Sequence, residues 1–334
     1  MAGEPDFHPT APVENLRLRA ALLRAVRRFF EEREYLEVET PLVSADATVD
    51  PNLIPFATQF RLPGAGPLQA EGLFLQTSPE FAMKRLLAVG HEAIYQVTHA
   101  FRNAELGPLH NPEFTILEWY RVGDTYHEQM DVVEALVRCV FGMPEAADAP
   151  RLRPQAFERL TYKEAFERHA GLDSLTAAAS DFPQIAESRG VVPPPGLTEE
   201  DRDGWLNFLL VELVEPKLGV SGPEFLYDYP ASQAALARVR PDEPPVAERF
   251  ELYVRGIELC NGYQELTDAG ELRWRIRDRF GRSAERLLES RLLDAMEAGL
   301  PDCSGVALGF DRLVMLAVGA ESLSEVMPFP FPRA

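Results

Sequence analysis

The sequence predicts an α+β fold, on three observations. Apolar residues recur at helical spacing from Asn15 (Leu16, Ala20, Leu23, Val26, Phe30), with charged residues filling the other face. Residues 101–121, FRNAELGPLHNPEFTILEWYR, read as two antiparallel strands joined by a long polar loop with a Gly-Pro turn. Strand signals return at 225–229 and 250–255, ahead of the run from Gly256 to Asp268, and charged helical patterns follow them. With 334 residues the chain can bury a large core, either as two domains or as one large unit with an insertion.

Charge and composition narrow the function. The chain carries 33 Lys and Arg against 53 Asp and Glu, a formal net charge of −20, so sequence-independent binding to phosphate-rich nucleic acid or to a membrane surface is disfavoured unless basic residues cluster. Cys139, Cys260 and Cys303 lie far apart without CxxC or Cys/His spacing, which argues for reduced thiols over a zinc site or disulfide framework. The N-terminus has no basic segment followed by an apolar one, and no apolar run approaches the ~20 residues that span a bilayer. A cytoplasmic location is expected.

In chain order, residues 1–14 read as a polar, Pro-containing arm. A helix is expected over 15–33 with Asn15 as N-cap, then a short strand through Tyr35, Leu36, Val38 and Thr40 that Pro41 stops. Residues 42–72 suit short strands and turns. The run at 73–76 leads into Thr77-Ser78-Pro79-Glu80, where Ser78 is a good N-cap and Pro79 a good first residue for a helix reaching Gly90. Glu80 is there either as a first-turn acid or as a ligand. A strand at 94–100 feeds the hairpin, and an amphipathic helix follows at 128–141. Proline density rises over 143–153 and again at 193–195, bracketing helical segments at 162–169 and 205–214, so residues 142–222 read as an insertion of helices. Helices are expected at 271–279 and 284–298. The chain closes with CSGVALGFDR at 303–312 and an apolar helix through Leu313, Leu316 and Val318.

Three of these segments resemble, in order and content, motifs 1, 2 and 3 of the class II aminoacyl-tRNA synthetases: the helix, strand and Pro41; the Arg102 hairpin; and GVALGFDR. HNPEFT, ELCNGYQEL and GFDR are similar to the lysyl branch. Motif 1 begins near residue 15, leaving no room for the anticodon-binding domain that precedes it in lysyl-tRNA synthetases. A free-standing core of this length, with TSPEFAMKRLL and CSGVALGFDRLVML, resembles the elongation factor P (R)-β-lysine ligases. The resemblance implies a six- to seven-stranded, mainly antiparallel sheet flanked by helices, in a catalytic domain at 15–334 that dimerises through motif 1. It also implies ATP and Mg2+ as cofactors, activation of lysine or (R)-β-lysine as an adenylate, and transfer to a lysine ε-amino group of elongation factor P. The alternatives are a truncated lysyl-tRNA synthetase, which −20 disfavours as a tRNA binder, and an inactive regulatory paralogue.

The chemistry of adenylation fits the residues. It brings a carboxylate onto an α-phosphate, so the site must supply cations and fixed donors first. Arg102 is suited to bridge carboxylate and α-phosphate, since a planar guanidinium can hold both. Arg312 would hold the γ-phosphate, with Gly309 letting backbone approach the nucleotide. The resemblance further places Asn103, Ala104, Glu105, His110, Asn111, Phe114, Glu258 and Leu259 at ATP, with Phe114 stacked on adenine. Glu251 and Glu258 would hold Mg2+, whose octahedral preference suits two carboxylates plus phosphate oxygens and waters. At the amino acid it places Ser78, Pro79 and Glu80, the last on the reactive-end amino group, with Asn261 near the carboxylate. Glu265 and Tyr120 would take the distal ammonium, Tyr263 would form an aromatic wall, and Ala307 would shape the pocket. Two positions depart from relatives. Ala104 stands where a Glu is usual, a role Glu105 would have to assume. Ala307 follows the β-lysine ligases where lysyl-tRNA synthetases have Gly, a difference worth only about 1–3 kcal/mol. Arg273, Arg275, Arg277 and Arg279 are either an acceptor-docking patch or an ordinary solvated helix face.

Overall fold

A computed structural model describes residues 7–46, 48–50, 53–61, 63–64, 70–146, 149 and 156–334. The first six residues of the expected arm and most of the Pro-rich run at 143–153 lie outside them. The described part of the arm is docked: Thr10 donates its N–H to the carbonyl of Pro328 at 2.9 Å and its hydroxyl to that of Met327 at 2.8 Å. Helix α1 (Val13–Glu31) starts two residues earlier than the sequence suggests, with Pro12 at the N-cap. Asn15 is therefore inside the helix, and its amide donates to the carbonyl of Glu325 instead.

After α1 come β1 (Leu36–Glu37), then β2 (Val43–Ser44), β3 (Ala57–Arg61) and β4 (Ala70–Leu75), the last three forming a small sheet in the order β2-β4-β3. Helix α2 (Glu80–Ala88) begins one residue later than expected, with Pro79 at the N-cap. Ser78 still caps its first turn from the position before, as the sequence suggests. Its hydroxyl accepts from Glu80 N–H at 3.0 Å and donates to Glu118 at 2.8 Å. Strands β5 (Ala93–Phe101) and β6 (Glu113–Val122) form the expected antiparallel hairpin. Helix α3 (Tyr126–Phe141) is opened by a Thr125–Glu128 capping box.

The predicted helical insertion holds α4 (Tyr162–His169), α5 (Asp181–Arg189) and α6 (Arg202–Leu209), but also β7 (Glu158–Thr161), which the sequence reading missed. Helix α6 runs into a π-helical turn at Leu210–Val214 and a 3-10 turn at Glu215–Lys217. Then follow β8 (Glu224–Pro230), β9 (Val239–Arg240), β10 (Val246–Val254) and β11 (Ile257–Gln264), α7 (Ala269–Phe280), α8 (Glu285–Leu288), α9 (Arg291–Gly299), β12 (Cys303–Gly309) and α10 (Phe310–Val318). The single helix expected at 284–298 is thus two: Ser290 accepts from Leu293 N–H and caps α9, restarting the chain.

The main sheet runs β1-β5-β6-β12-β11-β10-β8-β7, with β9 paired to β10. Its body, β5 to β8, is six antiparallel strands, in line with the expected six or seven. Two short parallel edge strands, β1 on β5 and β7 on β8, extend it. One core packs α1, α3 and α10 against the sheet around Phe30, Trp119, Val133 and Leu313. A second joins the insertion to it through Tyr162, Phe166, Trp205, Tyr229 and Tyr253. A third, with Met83, Leu87, Tyr120, Leu293 and Met296, seats α2 and α9. Among the described residues no helix is long and apolar enough to cross a membrane.

Candidate active site

A cleft of about 1320 Å³ lies over the centre of the sheet, lined by the β4–α2 junction, β6, β10, β11, β12, the start of α10 and α7. It brings together residues as distant in sequence as Ser78 and Arg312, 234 positions apart, because β6, β12, β11 and β10 are consecutive neighbours. Asn261 faces Ala307 across β11 and β12, and Ala307 faces Glu118 across β12 and β6. Of the residues assigned from sequence to ATP, metal or amino acid, all but Asn103 and Ala104 line it; of the four arginines of α7, Arg275 and Arg279 do. Asn103 is held outward by an N–H bond to Ile54, and Ala104 turns the chain in the left-handed region at φ 65°. That conformation costs an alanine roughly 1 kcal/mol.

One end of the cleft is built from paired charges. Arg102 projects from the hairpin with its guanidinium 5.0 Å over the Phe114 ring, its Nε donating to the carbonyl of Thr77 and Glu105 4.0 Å away. Arg312, in the first turn of α10, donates to the backbone carbonyl of Glu258 at 2.7 Å and lies 3.3 Å from its carboxylate. Its other terminal nitrogen is 2.9 Å from His110 Nε2. Burial and the neighbouring Arg312 hold His110 below its usual pKa, so its neutral ring can accept from the arginine. Asn111 is buried and fully used: its amide donates to Glu113 and its carbonyl accepts from Phe331 N–H. It fastens the chain's last residues to the hairpin loop.

Glu251 on β10 is buried at the next position along. Its carboxylate is 2.5 Å from Arg249, accepts from Tyr253 at 2.6 Å and from Asn261 at 3.2 Å. The carbonyl oxygen of Asn261 is buried with no hydrogen-bond partner among the described residues. Arg249, which the sequence reading did not single out, stays charged because Glu251 and the surrounding tyrosines outweigh its burial. Two carboxylates, Glu251 and Glu258, and one unpaired amide oxygen are hard donors of the kind Mg2+ takes. That is the pattern magnesium shows when phosphate oxygens and water complete its shell. Glu215, from the insertion and outside the cleft lining, accepts from Tyr253 at 3.1 Å. Burial and the Glu251 charge push it up to about 7.

The other end is acidic. Glu80, Glu118 and Glu265 converge there, and Tyr120 donates to Glu118 at 2.6 Å. Lys84 lies between Glu80 and Glu265 at 2.6 and 2.5 Å. Burial, reinforced by the Glu80 charge, pushes Glu118 up to about 7. Glu265 is also raised, by burial that Lys84 only partly offsets. Gly305 on β12 makes this convergence possible: a Cβ there would stand 2.2 Å from the Tyr120 ring and 2.7 Å from Glu265 Oε1. Glu118 and Lys84 were missed from sequence. Glu118 had a signal, a lone acid inside Ile116, Leu117 and Trp119. Lys84 had none, since Lys four residues after Glu on an amphipathic helix usually marks a solvated pair. The cleft can therefore hold an anion at its arginine end and cationic groups at its acidic end.

Comparison with known proteins agrees in kind. The family model of class II tRNA synthetases (D, K and N) matches residues 7–333. An elongation factor P–(R)-β-lysine ligase of Vibrio cholerae is 46% identical over 98% of this chain and 99% of its own. Ligases of the same name from Klebsiella pneumoniae and Yersinia enterocolitica are 45% and 46% identical over the full length of both chains.

Proposed function

The chain belongs to the class II tRNA synthetases of the D, K and N group, and from that premise we propose that it is an ATP-dependent ligase that activates (R)-β-lysine or lysine and transfers it to elongation factor P. The observation that carries this reading is the polarity of one cleft, with Arg102 and Arg312 at one end and three carboxylates at the other. A diamino acid fits it lengthwise, carboxylate towards Arg102 and ammonium groups among the acids. The names of the full-length relatives point to the same substrate and acceptor.

In the first step a carboxylate oxygen of the amino acid forms a bond to the α-phosphorus, and the bond to the bridging oxygen breaks to release pyrophosphate. Arg102 would hold the two anions together and Arg312 the departing end. Positioning of this kind supplies about 7 kcal/mol or more of a barrier. Glu251 and Glu258 would hold Mg2+, which neutralises phosphate charge when bound. His110, Phe114, Leu259 and Gly309 would surround the nucleotide, and Glu105 would act where Ala104 has no side chain to offer. Ser78, Pro79, Glu80, Tyr120, Asn261, Tyr263, Glu265 and Ala307 would contact the amino acid. In the second step a lysine ε-amine of the acceptor attacks the carbonyl carbon, and AMP leaves with loss of one proton. We assign catalysis to residues 15–334, working as a dimer through the α1–Pro41 region.

The test is incubation with ATP, labelled (R)-β-lysine or lysine, and either elongation factor P or tRNA. Label on elongation factor P is expected. Label on tRNA alone overturns the acceptor, and absence of ATP–pyrophosphate exchange with both amino acids overturns the enzyme.

A further inference from the structure

The buried ammonium at the acidic end has no part in the chemistry above. Lys84 has a side chain only 2% exposed, deeper than the 18% of its helix partner Glu80, whereas a solvated pair would have both in water. Its ammonium is 2.6 Å from Glu80 and 2.5 Å from Glu265, which lie on separate elements. Desolvating a lysine this fully is costly, and it stays charged only where carboxylates compensate it. Lys84 has two, and together they hold it above its ordinary pKa against the effect of burial.

Counting formal charges is informative. Glu80, Glu118 and Glu265 against Lys84 leave two negative charges uncompensated, and a diamino acid brings two ammonium groups. We propose that Lys84 is a positioning and specificity residue, a built-in third ammonium that fixes Glu80 and Glu265 and sets this end of the cleft to be neutralised by a substrate with two cationic groups. The assignment rests on the lysine-type substrate proposed above.

The other groups facing it fit that role. Glu118 and Tyr120 come from β6, Glu265 follows β11, and Cys303 with Asp302 lies at the start of β12. Helix α9 packs Leu292, Leu293 and Met296 into this core, and its Arg291 lines the cleft. Among the described residues Lys84 is the cation paired with these acids, and burial holds Glu118 and Glu265 above their usual range, as in a pocket short of positive charge. Removing Lys84 would raise Glu265 further, so that a higher pH than in the wild type would be needed before the incoming ammonium meets an ionised acid.

The experiment is ATP–pyrophosphate exchange by the full chain, wild type and Lys84→Met, with lysine, (R)-β-lysine and norleucine from about pH 6 to 9. Lys84→Met is expected to raise the diamino acid KM about tenfold or more near pH 7 with ATP KM unchanged, to recover as pH rises, and to lose about tenfold of its preference over norleucine. A folded variant with wild-type KM and pH profile overturns the proposal, and so does a KM raised equally at every pH. If Lys84→Met does not fold, Lys84→Arg decides: the retained charge is expected to keep the wild-type pH profile, and an alkaline shift of about a unit or more overturns the proposal. Wild-type enzyme that exchanges with no diamino acid sinks the substrate reading itself, whereas wild-type exchange with an unaltered variant sinks only the role of Lys84.

Discussion

Arg102 is the residue on which the two ends of the cleft meet. In the ligand-free protein its guanidinium lies on Phe114 with Glu105 4.0 Å away, so it is restrained without being locked into a bidentate pair. Replacing it with Ala leaves the fold's hydrogen bonds nearly intact, since its one side-chain donation among the described residues, to the Thr77 carbonyl, is a long 3.4 Å. We expect Arg102→Ala to lower the rate of pyrophosphate exchange by about 10²–10³, with Tm little changed, as for loss of one fixed donor to a developing anion. Gly305 makes a complementary case at the acidic end. Gly305→Ala would drive a methyl against the Tyr120 ring, which cannot swing aside because it is buried beneath α2. The amino acid KM is expected to rise at least about tenfold while ATP KM holds, because the clash is confined to the ammonium pocket. Equal changes in both constants would show that the sheet had moved as a whole.

Among the elements, the hairpin of β5 and β6 carries most of the site, and its long loop is held at a distance from its own strands. Leu323 donates to the carbonyl of Pro108, and Phe331 to Asn111, so the segment after α10 straps the loop down next to His110 and Arg312. Asn111→Ala removes two partly buried hydrogen bonds, to the Glu113 carbonyl and from the Phe331 N–H, a loss of about 0.5–1.5 kcal/mol for each. A thermal melt should show Tm falling by several degrees, together with a higher ATP KM from the loosened loop. Long periodic elements were legible in the sequence. The pattern in α4 gave both boundaries, and the hairpin was read with its antiparallel sense. What escaped was written in tertiary terms. β7 is a four-residue strand whose pairing depends on a parallel neighbour, β8, far along the chain. The break between α8 and α9 turns on Ser290 choosing to cap rather than continue an apolar period. The Ser78 cap was legible, but the second use of its hydroxyl, as donor to Glu118 on β6, was not. At the site, Arg102 and Arg312 stood out by motif. Lys84 did not, since its meaning comes from Glu265, 181 positions away.

For the molecule as a whole, the buried acids link function to pH. Glu118 is raised from 4.5 to about 7, and Glu265 is raised as well, so the folded, ligand-free protein binds protons that the unfolded chain has released. By linkage, their contribution to stability is complete below the unfolded value near 4.5 and is lost as pH climbs through the folded one. For Glu118 alone, a shift of about 2.5 units corresponds to about 3 kcal/mol at most. A bound diamino acid reverses the balance, because its ammonium groups favour the ionised carboxylates and displace their protons. Lysine or (R)-β-lysine should therefore bind more tightly as pH rises from about 5.5 to 8, and binding near pH 7 should release protons. The raised Tm on adding amino acid should grow over the same interval, in which the ligand-free Tm loses the contribution of these two acids. Calorimetry in buffers of differing ionisation enthalpy would count the protons. Binding that took up protons, or that was indifferent to pH across this window, would place the substrate's ammonium groups somewhere other than among Glu80, Glu118 and Glu265, and the cleft would have to be read in the opposite direction.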